Sequence, residues 1–450
     1  MGTRFGFSTP ELTRQVRRLV ATRLFLYLGA MSSYFIGVMG TLTFAMGAGV
    51  GDNAIAVALL NLCMVAGQVK GGALLDCLGP QCYFRVTAAG LIVSGLLYQA
   101  LGTSIAGVYL GAAVFGFAWG ISDIIPRAFP AYLTGEMDEL KQVNSLLTLV
   151  NNIATVVGPL VGGAIALVAP TQTVFLFMVL CTALACVPGL GLCALREPEG
   201  DGVKGREASQ GDSALSGRSA AGAAAKADGV SDTDDAAGQT AGGTAAGFAT
   251  IFASSVLTLL FWATLLSFMG YGAFDPLESL FYRDVLHVGA EWMGWLAALS
   301  GVGGLIGAAL AGAMPTRLIN VRTMLVVLFI TGAGSLLYVS TPFVAVACAG
   351  QFVLGVAFAA FGPISNTLVQ VHAPLDQVGR VNAAMGAGYN MAGAIPLLCA
   401  PTLAHVFGVQ GTLIAAGVAV AAVPLVILAT RRGELDELVA AERVAEDADA

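Results

Sequence analysis

The chain has 450 residues, of which 57% are hydrophobic and 11% charged, with a net charge of −7. Soluble proteins carry charge on about a quarter of their residues, so a chain this poor in charge cannot surround a core with a polar shell, and a water-soluble globular fold is excluded. The negative balance also leaves no basic footprint for nucleic acid.

A membrane-crossing helix needs about 20 mostly apolar residues. Its backbone groups must find partners within the segment, because hydrocarbon offers none. Residues 1–23 form a basic N-terminus with Arg4, Arg14, Arg17, Arg18 and Arg23. The uncharged run that follows, 24–51, is too long for a signal peptide and reads as the first span. Further spans begin near Asn53, Arg85, Ala106, Asn144 and Thr171, separated by turn-prone clusters such as LGTS at Leu101 and APTQT at Ala169. Residues 196–250 differ in kind. They are Gly, Ala, Ser and Asp with almost no large apolar side chain, which describes a flexible cytoplasmic linker. Six more spans begin near Ile251, Trp292, Val321, Pro342, Val381 and Gly411, and an acidic cytoplasmic tail occupies 431–450. Strands of a membrane barrel would alternate in segments of about ten residues, and no such pattern occurs.

The expected fold is therefore all-α and integral to the membrane, with six helices in 24–195 and six in 251–430. A short repeat supports duplication. Val143, Asn144, Asn152 and Ala154 recur at a constant offset as Val381, Asn382, Asn390 and Ala392. Two parallel six-helix repeats are a transporter plan with the site between them near the midplane. With the N-terminus inside, every Lys and Arg except Arg283 falls on the inner side, as the positive-inside rule requires. The expected location is the inner or plasma membrane with both termini cytoplasmic.

The eight cysteines contain no Cys-x-x-Cys and read as small buried apolar residues. The three histidines have no ligand spacing, so no metal site and no cofactor is expected. No Walker loop and no Ser/His/Asp set is present, which argues against an ATP-driven pump and against an enzyme.

Ionisable groups inside spans are costly and usually work for their place. Asp123 and Arg127, four apart near the inner end of the fourth span, can pair across one helical turn. Asp275 and Glu278 interrupt the seventh span after the uncharged run 236–274. If that span ends near Phe274 the two acids are interfacial, the slightly favoured reading. If it continues toward Tyr282 they share one face within the membrane, with Pro276 at a bend. Asp275, Glu278 and Asp123 are the proton-coupling candidates. Arg127, Asn152, Asn366 and Asn390 are candidates for a substrate cavity.

Two motifs carry a family resemblance. GGALLDCLGPQCYFR, with Gly72, Asp76 and Gly79, resembles the cytoplasmic signature of the major facilitator superfamily, and Arg85 stands near its basic end. VVGPLVGGAI, with Gly158, Pro159, Gly162 and Gly163, is similar to the Gly-Pro-x-x-Gly-Gly element of that superfamily's antiporters. WMGWLAALSGVGGLIGAALAG and QVGRVNAAM look most like its macrolide-efflux and enterobactin-exporter branch. The resemblance implies a secondary transporter working by alternating access, with spans one, four, seven and ten lining the cavity. Asp76 would act in a cytoplasmic latch, as an Asp at a helix N-terminus facing a base, and Gly158 to Gly163 in helix packing and bending. The expected activity is proton-coupled efflux of a hydrophobic or amphipathic compound, driven by the proton gradient. Uptake of a small neutral solute, lysophospholipid flipping and a non-transporting sensor or scaffold are the alternatives. The expected partners are the lipid bilayer and a small-molecule substrate, with the chain acting as a monomer.

Overall fold

The computed structural model describes residues 9–134, 136–195, 247–315, 318–374, 378–433 and 435, and among these it contains helices and no strand. The linker expected over 196–250 falls almost wholly outside the described residues, as do 436–450 of the tail. In the first half, α1 covers Pro10–Ser32 and continues as a π-helix over Ser33–Ala45. α2 (50–78) and α3 (80–101) are limbs of one helical run broken at Gly79. α4 joins Ile105–Ser122 to Ile125–Leu133, α5 is Met137–Val168 and α6 is Thr173–Gly189. In the second half, α7 joins Ser255–Tyr271 to Phe274–Asp284, α8 is Glu291–Gly312, α9 is Val321–Val339 and α10 is Val344–His372. α11 (378–407) and α12 (409–430) are again one run broken, at Gly408. Among the described residues, ten stretches are by themselves long and apolar enough to cross a bilayer. One of them, Ile395–Thr430, includes the Gly408 break, and the 17-residue α6 is a shorter apolar helix. Splitting the first and adding the second gives the twelve crossings expected from the sequence.

Local chemistry explains the ends. Thr9, Ser104, Ser254 and Asn320 cap α1, α4, α7 and α9 by accepting from backbone N–H groups of the first turn. Two reversals need no loop. Gly79 and Gly408 sit at φ 69° and 72°, a left-handed conformation that a Cβ resists. Gly67 of α2 and Gly90 of α3 both lie against residues 117–118 of α4, so the chain doubles back at Gly79. The connection expected between Gly72 and Arg85 thus shrinks to a single residue. Asp76 consequently falls in the last turn of α2. That corrects its expected place at a helix N-terminus, because its own helix presents the negative end of its dipole there.

The outward helix surfaces are apolar. Leu62, Val168, Val187 and Leu398 are each more than 60% exposed, as suits helices that lipid surrounds. All eight cysteines are free, but only Cys181 is fully buried, and Cys77, Cys82, Cys193 and Cys399 are exposed. This corrects the expectation of buried cysteines. A lipid-facing or interfacial position accepts a thiol as readily as a core does.

The two halves join at one end of the bundle, the end that carries Arg283. There one apolar cluster combines Ile36, Met39, Val57 and Val174 with Phe274, Leu277, Phe281, Met293 and Leu296. Toward the opposite, arginine-rich end each half packs on itself. One cluster includes Leu12, Val16, Tyr83, Phe84 and Leu192, another Ile251, Leu257, Met324, Leu368 and Val381, and the two share no member. Within the joined end α5 crosses the first turn of α8 with almost no separation. A Cβ on Gly163 would come within 2.7 Å of the Glu291 carbonyl oxygen, and one on Gly294 within 2.2 Å of the Pro159 carbonyl oxygen. Gly158 and Gly162 seat α5 on α1 instead, against Met31, Leu28 and Ile36.

Replacing Gly294 with Val should therefore drive α5 and α8 apart and destabilise the fold by about 1–3 kcal/mol, the usual cost of overpacking. A lowered unfolding temperature of the detergent-solubilised protein would report it. Gly304→Ala, whose new methyl would meet its nearest neighbour at 3.5 Å, should leave that temperature nearly unchanged.

Candidate functional site

The site begins where α7 breaks. Gly272 and Ala273 separate its two pieces. A Cβ on Gly272 would lie 2.1 Å from the Gly393 carbonyl oxygen of α11, so the backbones touch at the break. Pro276 in the next turn offers no N–H to the broken ladder. Beyond it the helix continues to Asp284. The helix therefore does not end near Phe274, and both acids stand on it, three residues apart on one face. The sequence could not decide this, since LESLFY suits an interface and a span equally.

Glu278 is held by its own half. The hydroxyls of Tyr282 (2.9 Å) and Tyr338 (2.8 Å) and Nε2 of Gln351 (3.0 Å) all direct hydrogen bonds at its Oε1. The two hydroxyl oxygens are also 2.7 Å apart. Oε1, Tyr282 Oη and Tyr338 Oη thus form a triangle of short contacts. Each tyrosine supplies one proton, so two protons serve three edges. A proton on the Glu278 carboxyl would fill the third.

Asp275 is exposed although Phe274, Pro276 and Leu277 around it are buried. Tyr34, from the π-helical part of α1, stands close to it across the boundary between halves. Tyr34 packs edge-on against Trp119 of α4 at 5.7 Å, and Trp119 lies 6.4 Å from Tyr27. The Arg23 guanidinium sits 4.4 Å over the Tyr27 ring.

Arg23 leads to the second charged centre. Its Nη2 is 3.0 Å from Asp123 Oδ1, its Nε donates to Asn151 Oδ1 at 2.8 Å, and Gln68 Nε2 donates to Asp123 Oδ2 at 3.3 Å. Arg23 is 2% exposed and Asp123 20%. Asp123 occupies the two-residue break in α4 before Pro126. The partner the structure gives Asp123 is thus Arg23 of α1, which the sequence reading had put in the cytoplasmic N-terminus. The side chain of Arg127, the partner expected there, lies outside the described residues, as do those of Asn390 and Asp76. Asn152 is exposed one turn from Val156, which packs on Gly301 of α8, so it faces the other half. Asn366 on α10 and Arg85 on α3 are exposed.

Tyr34, Tyr338, Gln351 and Arg23 were not singled out in the sequence. Gln351 and Tyr34 carried a faint signal, as polar side chains isolated in long uncharged runs. At the far end of α7, Arg283 Nη1 donates to the backbone oxygens of Thr43 (2.8 Å) and Ala48 (3.2 Å), while Asp284 brackets the rest of the guanidinium. Thr43, Asn53 and Ser279 form a buried hydroxyl–amide knot beside it, with contacts of 2.7–3.1 Å across the halves.

Twelve apolar helices in two bundles, joined at one end, define a polytopic membrane transporter fold. The family model for the Major Facilitator Superfamily matches residues 20–263 and 260–446, and the chain belongs to that superfamily. The multidrug efflux pump Tap of Mycolicibacterium fortuitum is 29% identical over 150 residues, 32% of this chain and 36% of Tap, so the match spans about a third of that relative's length. Among solved structures, a mutant of the peptide transporter POT is 14% identical over 96% of this chain and 97% of its own, with a TM-score of 0.64. A mutant of the nucleoside transporter NupG is 10% identical over 92% and 99%, TM-score 0.62. The human organic anion transporter MFSD10 is 16% identical over 93% and 99%, TM-score 0.56. At these identities the likeness concerns the fold alone.

Breaking one partner of a buried ion pair costs about 3–5 kcal/mol, whereas replacing both with apolar groups is often neutral. Asp123→Leu should therefore markedly lower the unfolding temperature in detergent, and Arg23→Met with Asp123→Leu should recover most of the loss. A double variant no better than the single one would show that the pair does not act as a unit.

Proposed function

We propose that this protein exports a hydrophobic or amphipathic small molecule by alternating access, driven by inward proton flow. The observation that carries the reading is the placement of Asp275 and Glu278 on the broken seventh crossing, where the halves meet. A carboxyl there can gain a proton when one side is open and lose it when the other is. The Tyr34 contact ties Asp275 to the opposite half, so a change in its charge alters how strongly the halves hold together. The low charge of the chain, 11% of residues, suits an apolar substrate better than a phosphorylated one. The partial match to Tap supports efflux over uptake.

In this reading the arginine-rich end is cytoplasmic, following the positive-inside rule. The joined Arg283 end is then the outer gate in its closed state, and the conformation faces inward. Rocking would turn about the α5–α8 glycine crossing, which holds the halves together on the joined side. Asp76 and Arg85 would latch the cytoplasmic side in the opposite state. The Arg23–Asp123 pair would fix α1 to the α4 break and stiffen the N-terminal half as it moves. No resident cofactor takes part, and a single chain suffices.

The test is a proteoliposome assay with an imposed pH gradient and a panel of lipophilic cationic dyes. Wild type should move dye against the proton flow, and the Asp275→Asn, Glu278→Gln double variant should lose gradient-driven movement about 100-fold while still exchanging dye without a gradient. Undiminished pH-driven transport in that variant would remove the pair from the mechanism. A protein that moves nothing under any gradient would favour the sensor or scaffold reading.

A further inference from the structure

At the arginine-rich end, outside every site described above, α1 and the end of α6 border an open cavity of about 500 Å³ lined by Pro10, Arg14, Arg17, Arg18 and Pro188. The three arginines stand at positions i, i+3 and i+4 of α1, hence on one face. Arg18 is spent on the fold: its Nη1 donates to the Gly191 carbonyl oxygen, and Gln15 Oε1 next to it accepts from the Cys193 N–H at 3.2 Å. These bonds clamp the first helix to the exit of the sixth. Arg14 and Arg17 are exposed and form no ion pair among the described residues. Glu11, one turn before Arg14, is exposed and is the acid of that stretch of helix.

We infer that this cavity binds the headgroup of an anionic phospholipid. Three guanidinium groups line the cavity with no ion pair among the described residues, and a phosphodiester would offset their mutual repulsion while accepting several of their N–H groups. The surroundings decide between lipid and a free anion. From Pro188 a stripe of exposed apolar side chains runs down α6 through Val187, Leu184 and Leu180, which are 79%, 43% and 55% exposed. Positions 180, 184 and 187 recur at helical spacing, so one continuous wall is available to acyl chains directly below the charged headgroup cavity. Basic pockets between membrane helices at the interface are where anionic headgroups are held. A soluble phosphate would have no use for the wall. The ligand would bridge α1 and α6 at the level where Arg18 already does so through the Gly191 backbone.

The experiment is native mass spectrometry of the delipidated full chain in detergent, titrated with phosphatidylglycerol or phosphatidylcholine of the same acyl chains. Wild type should bind phosphatidylglycerol more tightly. Each exposed arginine near an anionic surface is worth about five-fold, so Arg14→Gln with Arg17→Gln should weaken binding about thirty-fold. The Arg14→Lys, Arg17→Lys pair should stay within a few-fold of wild type. Arg431→Gln with Arg432→Gln, at the same end of the other half, should change nothing. Displacement by a large excess of inorganic phosphate would reveal a soluble-anion site and overturn the lipid assignment. Equal affinity for the two lipids, or equal phosphatidylglycerol binding by wild type and the glutamine pair, would overturn the site altogether. The single variants Arg14→Gln and Arg17→Gln, each expected about five-fold weaker, keep the inference testable if the double variant proves unstable.

Discussion

Hydrocarbon offers no hydrogen bond, so a polar group drawn into this molecule draws its partners from other parts of the same chain. That constraint arranges the interior. Glu278 gathers three donors from three helices. Arg23 is answered by Asp123 and Asn151 from two others. Asn53 and Ser279 turn their amide and hydroxyl toward Thr43. Each cluster fixes helices that carry few other specific contacts, since apolar side chains pack against lipid as readily as against one another. The polar residues therefore specify which helix lies beside which, and glycines specify how closely.

The same constraint separates what was legible in the sequence from what was not. Runs without charge mark crossings directly, because insertion tolerates almost nothing else, and the twelve-helix arrangement follows. Reversals at Gly79 and Gly408 were blurred, because a single residue at positive φ leaves no polar loop to mark it. Arg23 was misplaced for a related reason. It stands at the edge of an apolar run, where a sequence cannot distinguish a flanking base from a buried one. Only the arrival of Asp123 from a helix 100 positions away settles it. The environment of Glu278 was hidden too, since Tyr338 and Gln351 come from 60 and 73 residues further along. The acids could be picked out because charge is rare here, but their partners are ordinary residue types whose role exists only in three dimensions.

The bundle is asymmetric along its length. One end holds the halves together through an apolar cluster reinforced by Arg283. At the other, each half closes on its own core. At the joined end α5 crosses α8 backbone against backbone at Gly163 and Gly294, so little side-chain bulk stands there when the angle between the halves alters. Sliding surfaces made of glycine hold their contact over a range of angles. Interlocked large side chains would hold only one.

The grip of Arg283 has a consequence for how sequences like this one can diverge. Its guanidinium bonds to main-chain oxygens at 43 and 48, which every amino acid supplies. A change of side chain at 48 therefore leaves the acceptor oxygen in place, whereas a change at Arg283 removes the donor. Lysine lacks the planar fork that reaches two carbonyls while resting on Asp284. Inheritance of this closure needs only one codon to be preserved on one side of the seam and a backbone of the right curvature on the other.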